Sequence, residues 1–85
     1  MTTIEILTTA REKVQASWGQ GDDVDGDKIH CPYTAMVNSC GVSWPVQAAF
    51  QEAIGGGEII DWNDAPGRTQ AEVVAAFTRA IAAAE

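Results

Sequence analysis

Apolar residues recur at helical spacing in four stretches of this 85-residue chain, and each stretch is bracketed by residues that start or stop a helix. Leu7, Ala10, Val14 and Trp18 stand three or four apart. They follow Thr2-Thr3-Ile4-Glu5, a capping-box pattern in which the threonine hydroxyl accepts from a free amide while Glu5 reaches back. Gly19 is a natural stop, so the pattern predicts a first helix over 3–17. Tyr33, Met36, Val37 and Cys40 make a second stripe, opened by Pro32 and closed by Gly41, which predicts a helix over 32–40. Val46, Ala49, Phe50, Ala53 and Ile54 are the best amphipathic set, behind Ser43 as N-cap and ahead of Gly55-Gly56-Gly57, for a helix over 44–54. Thr69-Gln70-Ala71-Glu72 is a second capping box. It opens a last helix over 70–83, with Val73 or Val74, then Phe77, Ile81 and Ala84 on its buried face.

The segments between helices have turn chemistry. Residues 19–27 are rich in Gly and Asp, and Asp25-Gly26 closes either a short hairpin or a plain loop. Residues 55–69 are read as irregular: Glu58 to Trp62 is a short extended piece or a single turn, and Ala65-Pro66-Gly67-Arg68 fits a type II turn. No repeat or low-complexity linker interrupts the chain. The expected fold is a compact, all-α, single domain of about four helices spanning 1–85.

Composition narrows the classes of function. A chain of this length buries about 63% of its surface, enough for one modest core. Twelve acidic residues against five basic ones give a net charge of −7, which argues against direct binding to nucleic acid or to an anionic membrane. The charge is spread evenly, −3 over residues 1–40 and −4 over 41–85. The longest stretch without Asp, Glu, Lys or Arg runs from Ile29 to Gln51, but His30, Pro32, Asn38 and Pro45 make it too polar for a membrane span. It reads instead as a buried helical hairpin. No secretory pattern follows Met1, and Cys31 and Cys40 on one helix would stand about 13 Å apart, beyond bridging distance. A reduced, cytoplasmic protein is expected.

Three constellations invite chemistry. The acidic run 22–27 fits an EF-hand count at Asp23, Asp25 and Gly26, but Gly21 and Pro32 fall where the first and twelfth ligands belong, so a solvated loop is the better reading. His30-Cys31-Pro32 places a thiol at a helix start, where the dipole favours a thiolate, and Asn63 or Asp64 completes a drawable Cys-His-Asn/Asp hydrolase. Neighbours in sequence seldom aim both side chains at one atom, however, and a small buried cysteine is the simpler account. The soft ligands His30, Cys31 and Cys40 lack a zinc-site spacing. Trp62-Asn63-Asp64 with Arg68 is the third cluster: a binding hot spot if exposed. Otherwise it is a structural loop, with Trp62 plugging a gap, Asn63 and Asp64 satisfying amides and Arg68 paired with Asp61 or Asp64. No nucleotide-binding or hydrolase motif is present, and no cofactor is implied.

These same residues carry a resemblance. Ile60-Asp61-Trp62-Asn63-Asp64, Pro66-Gly67-Arg68-Thr69 and Glu72-Val73-Val74, with Phe77 and Ala80-Ile81, resemble the C-terminal half of a family of small helical proteins of unknown function from actinobacteria and their phages. Ser17 to Gly21 and Cys31 to Ala35 resemble that family's upstream loop and helix start, with Pro32-Tyr33-Thr34 standing where a Leu and a Gly are common. The resemblance implies a phage or actinobacterial origin, with the host cytoplasm as compartment for a phage protein. It implies no activity and no catalytic residue.

The function expected from these features is binding of a host or phage protein, or self-association, through whichever of Trp18, Trp44 and Trp62 is exposed. Two alternatives remain: a hydrolase or transferase using Cys31, and a nucleic-acid mimic that offers carboxylates to a basic protein.

Overall fold

The computed structural model describes residues 2–85, and they form one compact α-helical domain with a radius of gyration of 11.2 Å. The elements are α1 (Thr3–Ala16), a 3-10 turn (Gly21–Asp23), α2 (Pro32–Cys40), α3 (Trp44–Ala53), α4 (Ile59–Asn63) and α5 (Gln70–Ala84). The four long helices start where their caps predict. Thr2 accepts from the Glu5 amide while the Glu5 carboxylate accepts from the Thr2 amide, and Thr69 and Glu72 repeat the arrangement. Ser43 is the N-cap of α3 but makes no capping bond; Pro45 in the first turn removes one free amide there.

At α2 the N-cap is Cys31, whose sulfur accepts from the Thr34 amide while the Thr34 hydroxyl accepts from the Cys31 amide. The cysteine thus takes the place of a capping serine. At the far end of α2, Gly41 adopts φ 77°, a conformation open chiefly to glycine, and the chain turns sharply into α3.

Apolar packing is concentrated where the periodicity puts it. Leu7, Ala10 and Val14 of α1, Ala35 and Met36 of α2, Val46 and Phe50 of α3, and Val73, Ala76, Phe77 and Ala80 of α5 form the core, joined by Ile59 of α4. Phe50 lies 4.6 Å from Phe77 and 5.8 Å from Trp62 between ring centroids, the latter edge-on. Helices α1 and α5 run antiparallel: Gln70, at the start of α5, donates to the carbonyls of Val14 and Gln15, and Arg11 donates to Thr78.

Several boundaries and positions differ from the sequence reading. Residues 55–69 are not irregular throughout, because Ile59–Asn63 wind into the short helix α4. Helix α1 ends at Ala16, so Trp18 leaves the helical stripe and packs against the core from the following loop. Helix α3 stops at Ala53 and α5 continues to Ala84. Cys40 and Ala84, expected on buried faces, are exposed because each closes its helix beyond the last packed turn. Asp25 and Ile29 form a single antiparallel bridge, the hairpin reading in its smallest form. The Ala65–Arg68 turn is closed by the Arg68 amide donating to the Ala65 carbonyl, with Gly67 at φ 81°, as a type II turn requires. Among the described residues, no helix is long and apolar enough to cross a membrane.

Candidate functional site

The Trp62-Asn63-Asp64 cluster is brought against the loop after α1, and the two segments are tied by a dense set of hydrogen bonds. Asn63 is fully buried. Its side-chain oxygen accepts from the Trp18 indole N–H at 2.7 Å, and its side-chain nitrogen donates to the Gly19 carbonyl at 3.0 Å. The Gln20 amide spans the same gap, donating to the carbonyls of Asn63 and Ala65 at 2.7 and 3.1 Å. Asp64 Oδ1 accepts from the Gly21 amide at 2.9 Å.

This arrangement follows from backbone that regular structure leaves unpaired. The loop carbonyls and amides have lost their helical partners, and buried ones must find others. A carboxamide offers a donor and an acceptor on one planar group, so Asn63 serves both chain and indole at once. Gly19 is required by proximity: a Cβ there would sit 2.6 Å from Ile29 Cγ2 and 3.1 Å from the Asp23 carbonyl oxygen. On the other side of Gly19, its amide donates to the His30 carbonyl and the His30 amide donates to Ser17, a one-residue parallel bridge.

Arg68 completes the latch from the α5 side. Its guanidinium carbon lies 4.0 Å from the Trp62 ring centroid, its Nε donates to the Trp62 carbonyl at 3.0 Å, and Nη1 pairs with Glu72 at 3.2 Å. The expected pairing with Asp61 or Asp64 is replaced by this one, because stacking on Trp62 points the fork toward the first turn of α5. Glu72 is thereby held by the Thr69 amide first, and also by the Thr69 hydroxyl and Arg68, and its carboxyl stays below the ordinary carboxylate value. The Thr2 amide and side chain do the same for Glu5.

The thiol and imidazole are not assembled into a catalytic pair. Cys31 and His30 are both buried, yet the cysteine sulfur meets only Thr34, and His30 Nδ1 has no hydrogen-bond partner among the described residues. Asn63 cannot orient the imidazole, since its amide is committed to Trp18 and Gly19. A cavity of about 190 Å³ does bring Cys31 and Thr34 to the same space as Asp64, walled by Val24 and Ile60. Among the described residues, no three His, Cys, Asp or Glu side chains converge as metal ligands. The two cysteines are free.

The exposed apolar face lies elsewhere. Val42, on the connection between α2 and α3, is 76% exposed and Trp44, the first residue of α3, 71%; Ile60 of α4 is also exposed, while Trp18 and Trp62 are half-buried in the latch. Pro45 and Cys40, close in sequence to Val42 and Trp44, are exposed as well. The sequence places Trp44 in a charge-free stretch and among three candidate tryptophans, without choosing between them. Its neighbours at helical spacing, Gln47 and Ala48, gave the signal, since Trp44 falls off the Val46–Phe50 stripe.

No curated protein and no solved structure matches the chain. The sequence profile of a family of unknown function (DUF6197) matches residues 1–83, which takes in the latch and all five helices save the last residue of α5. The chain belongs to that family.

Proposed function

We propose that this chain is a protein-binding module whose contact face is centred on Trp44, with Val42 and Pro45 beside it. The observation that carries the reading is an indole 71% exposed next to a valine 76% exposed. Adjoining exposed apolar side chains mark an interaction site where a single scattered one does not, and tryptophan is among the residues enriched at binding hot spots. The rival cluster, Trp62-Asn63-Asp64 with Arg68, spends its polar groups on its own backbone, which supports a structural role for it. Resemblance to proteins of actinobacteria and their phages supports a host or phage protein in the cytoplasm as the partner.

Capture with immobilised wild-type chain, set beside Trp44→Ser, tests the proposal. A stoichiometric protein held by the wild type and lost by the variant, with both chains equally folded, is the expected result. Identical capture profiles would overturn it.

The cavity beside Cys31, Thr34 and Asp64 favours one further reading, a Cys31 nucleophile. Site-resolved alkylation separates the two. The binding-module reading expects exposed Cys40 to react in the native protein and buried Cys31 to react only after denaturation. Rapid native alkylation of Cys31 would favour the enzyme.

A further inference from the structure

The geometry points to a second binding site, separate from the Trp44 face: the cavity between α2, α4 and the 3-10 turn takes one apolar side chain from a basic segment of a partner protein. The fold assembles this site from three places in the chain. Gly21 and Val24 come from the 3-10 turn and its end, Cys31 and Thr34 from the start of α2, and Ile60 and Asp64 from α4 and its C-cap. The hydrogen bond from the Gly21 amide to Asp64 Oδ1 fastens the first of these to the last. Cys31 is buried and forms the floor, whereas Gly21, Ile60 and Asp64 are exposed at the mouth. Ile60, 48% exposed, is a large apolar side chain left in water at that mouth.

Size and charge together choose the occupant. At about 190 Å³ the cavity falls below the roughly 300–1,000 Å³ of small-molecule pockets, yet exceeds the roughly 150 Å³ that holds a benzene ring. It fits one side chain of leucine or phenylalanine size. The rim is acidic. Asp64 lines the cavity itself, Asp22 and Asp23 stand between the lining residues Gly21 and Val24, and Asp61 follows Ile60; all four are exposed. Ile60 also lines a smaller cavity of about 70 Å³, which it shares with Glu58. Among the described residues, no Lys, Arg or His lines either cavity. Arg68 is stacked on Trp62 and paired with Glu72, and Lys28 is the one cation among residues 19–31, against four aspartates.

An apolar socket rimmed by carboxylates is a poor match for a second copy, since a two-fold axis sets these acids against one another. It repels nucleic acid for the same reason. What complements it is an extended segment with Lys or Arg on both sides of an apolar residue. The cations then meet the rim while the apolar side chain sheds water into the cavity. No bond to Cys31 is involved; its thiol is part of the floor.

Fluorescence anisotropy of a labelled Lys-Arg-Leu-Arg-Lys peptide, titrated with the full chain, tests the site. Binding should weaken as salt rises, because the Debye length falls from about 30 Å at 0.01 M to about 10 Å at 0.1 M. A peptide with Ser in place of Leu should bind about tenfold more weakly, and Ile60→Ser should act likewise from the other side. The altered peptide keeps the test open should Ile60→Ser fail to fold. Replacing Asp22, Asp23 and Asp61 with Asn should weaken binding about tenfold at low salt. Replacing Glu12, Glu52 and Glu85 with Gln, which makes the same change in net charge at residues lining neither cavity, should cost less than about threefold. Equal losses in the two charge variants reduce the attraction to net charge and overturn the site. So does an affinity indifferent to both the altered peptide and Ile60→Ser, or no binding at millimolar chain concentration. Trp44→Ser should leave peptide binding unchanged; loss of it there overturns the second site and leaves the Trp44 reading standing.

Discussion

Asn63 holds two segments that lie more than forty positions apart, and it does so with one carboxamide closed off from water. Replacing it with Ala leaves the Trp18 indole N–H and the Gly19 carbonyl without their partner, and leaves a small void. Each unsatisfied buried group costs about 1–3 kcal/mol, so Asn63→Ala should lower unfolding free energy by about 3 kcal/mol. Urea denaturation checks this as a fall in midpoint. Asn63→Asp keeps the acceptor for Trp18 but removes the donor to Gly19 and buries a charge; it should be no more stable than the alanine variant. Gly19→Ala tests the same contact from the chain side. A Cβ 2.6 Å from Ile29 Cγ2 forces the loop open, and a loss of about 1–3 kcal/mol is expected. None of this is periodic, which is why the sequence showed only that Asn63 and Asp64 were polar residues in a loop able to satisfy amides. Their partners, Trp18, Gln20 and Gly21, are reached by the fold and not by the spacing.

At the scale of elements, legibility followed the strength of local signals. Helices α1, α2, α3 and α5 announce themselves through caps and through apolar residues three and four apart, and their limits fall within one residue of those read from the sequence. Helix α4 has five residues, no side-chain cap and one buried apolar residue, Ile59, so its pattern could not be told from an extended piece. What winds it is Trp62 and Asn63, which must face Phe50 and the Gly19 loop together. The capping boxes make a prediction of their own. Thr69→Ala should cost about 1 kcal/mol, read as a lower thermal or urea midpoint. Glu5 and Glu72 have folded-state values below the ordinary 4.5, set first by the Thr2 and Thr69 amides. Groups depressed on folding stabilise fully above their unfolded value and lose that contribution as pH falls through the folded one. Stability should therefore decline on acidification below about pH 4.5. The Glu5→Gln, Glu72→Gln double variant should show a shallower decline in an acid-unfolding series.

For the molecule as a whole, charge and size were legible from the sequence, and the destination of the apolar surface was not. The uncharged stretch 29–51 reads as a buried hairpin. It supplies Ala35, Met36, Val46 and Phe50 to the core, but the turn between its helices stands in solvent with Val42 and Trp44. Burial of one face of α2 and one of α3 leaves the connection no core to face. The acidic loop invites a separate test. Neutralising Asp22, Asp23, Asp25 and Asp27 to Asn should leave Trp44-dependent binding in place, measured by the same capture; loss of that binding would return the nucleic-acid mimic to the front.

The antiparallel seating of α5 on α1 also fixes when this fold can exist during synthesis. Gln70 and the Val14 carbonyl it caps are 56 residues apart, and the ribosome adds about 5–20 residues each second, so α1 emerges roughly 3–11 s before α5. Through that interval Leu7, Ala10 and Val14 lack the α5 side chains of their core cluster, and α1 alone is too short to persist in water. Until α5 arrives the core lacks Val73, Ala76, Phe77 and Ala80, so a chain arrested before α5 has no completed core to mature.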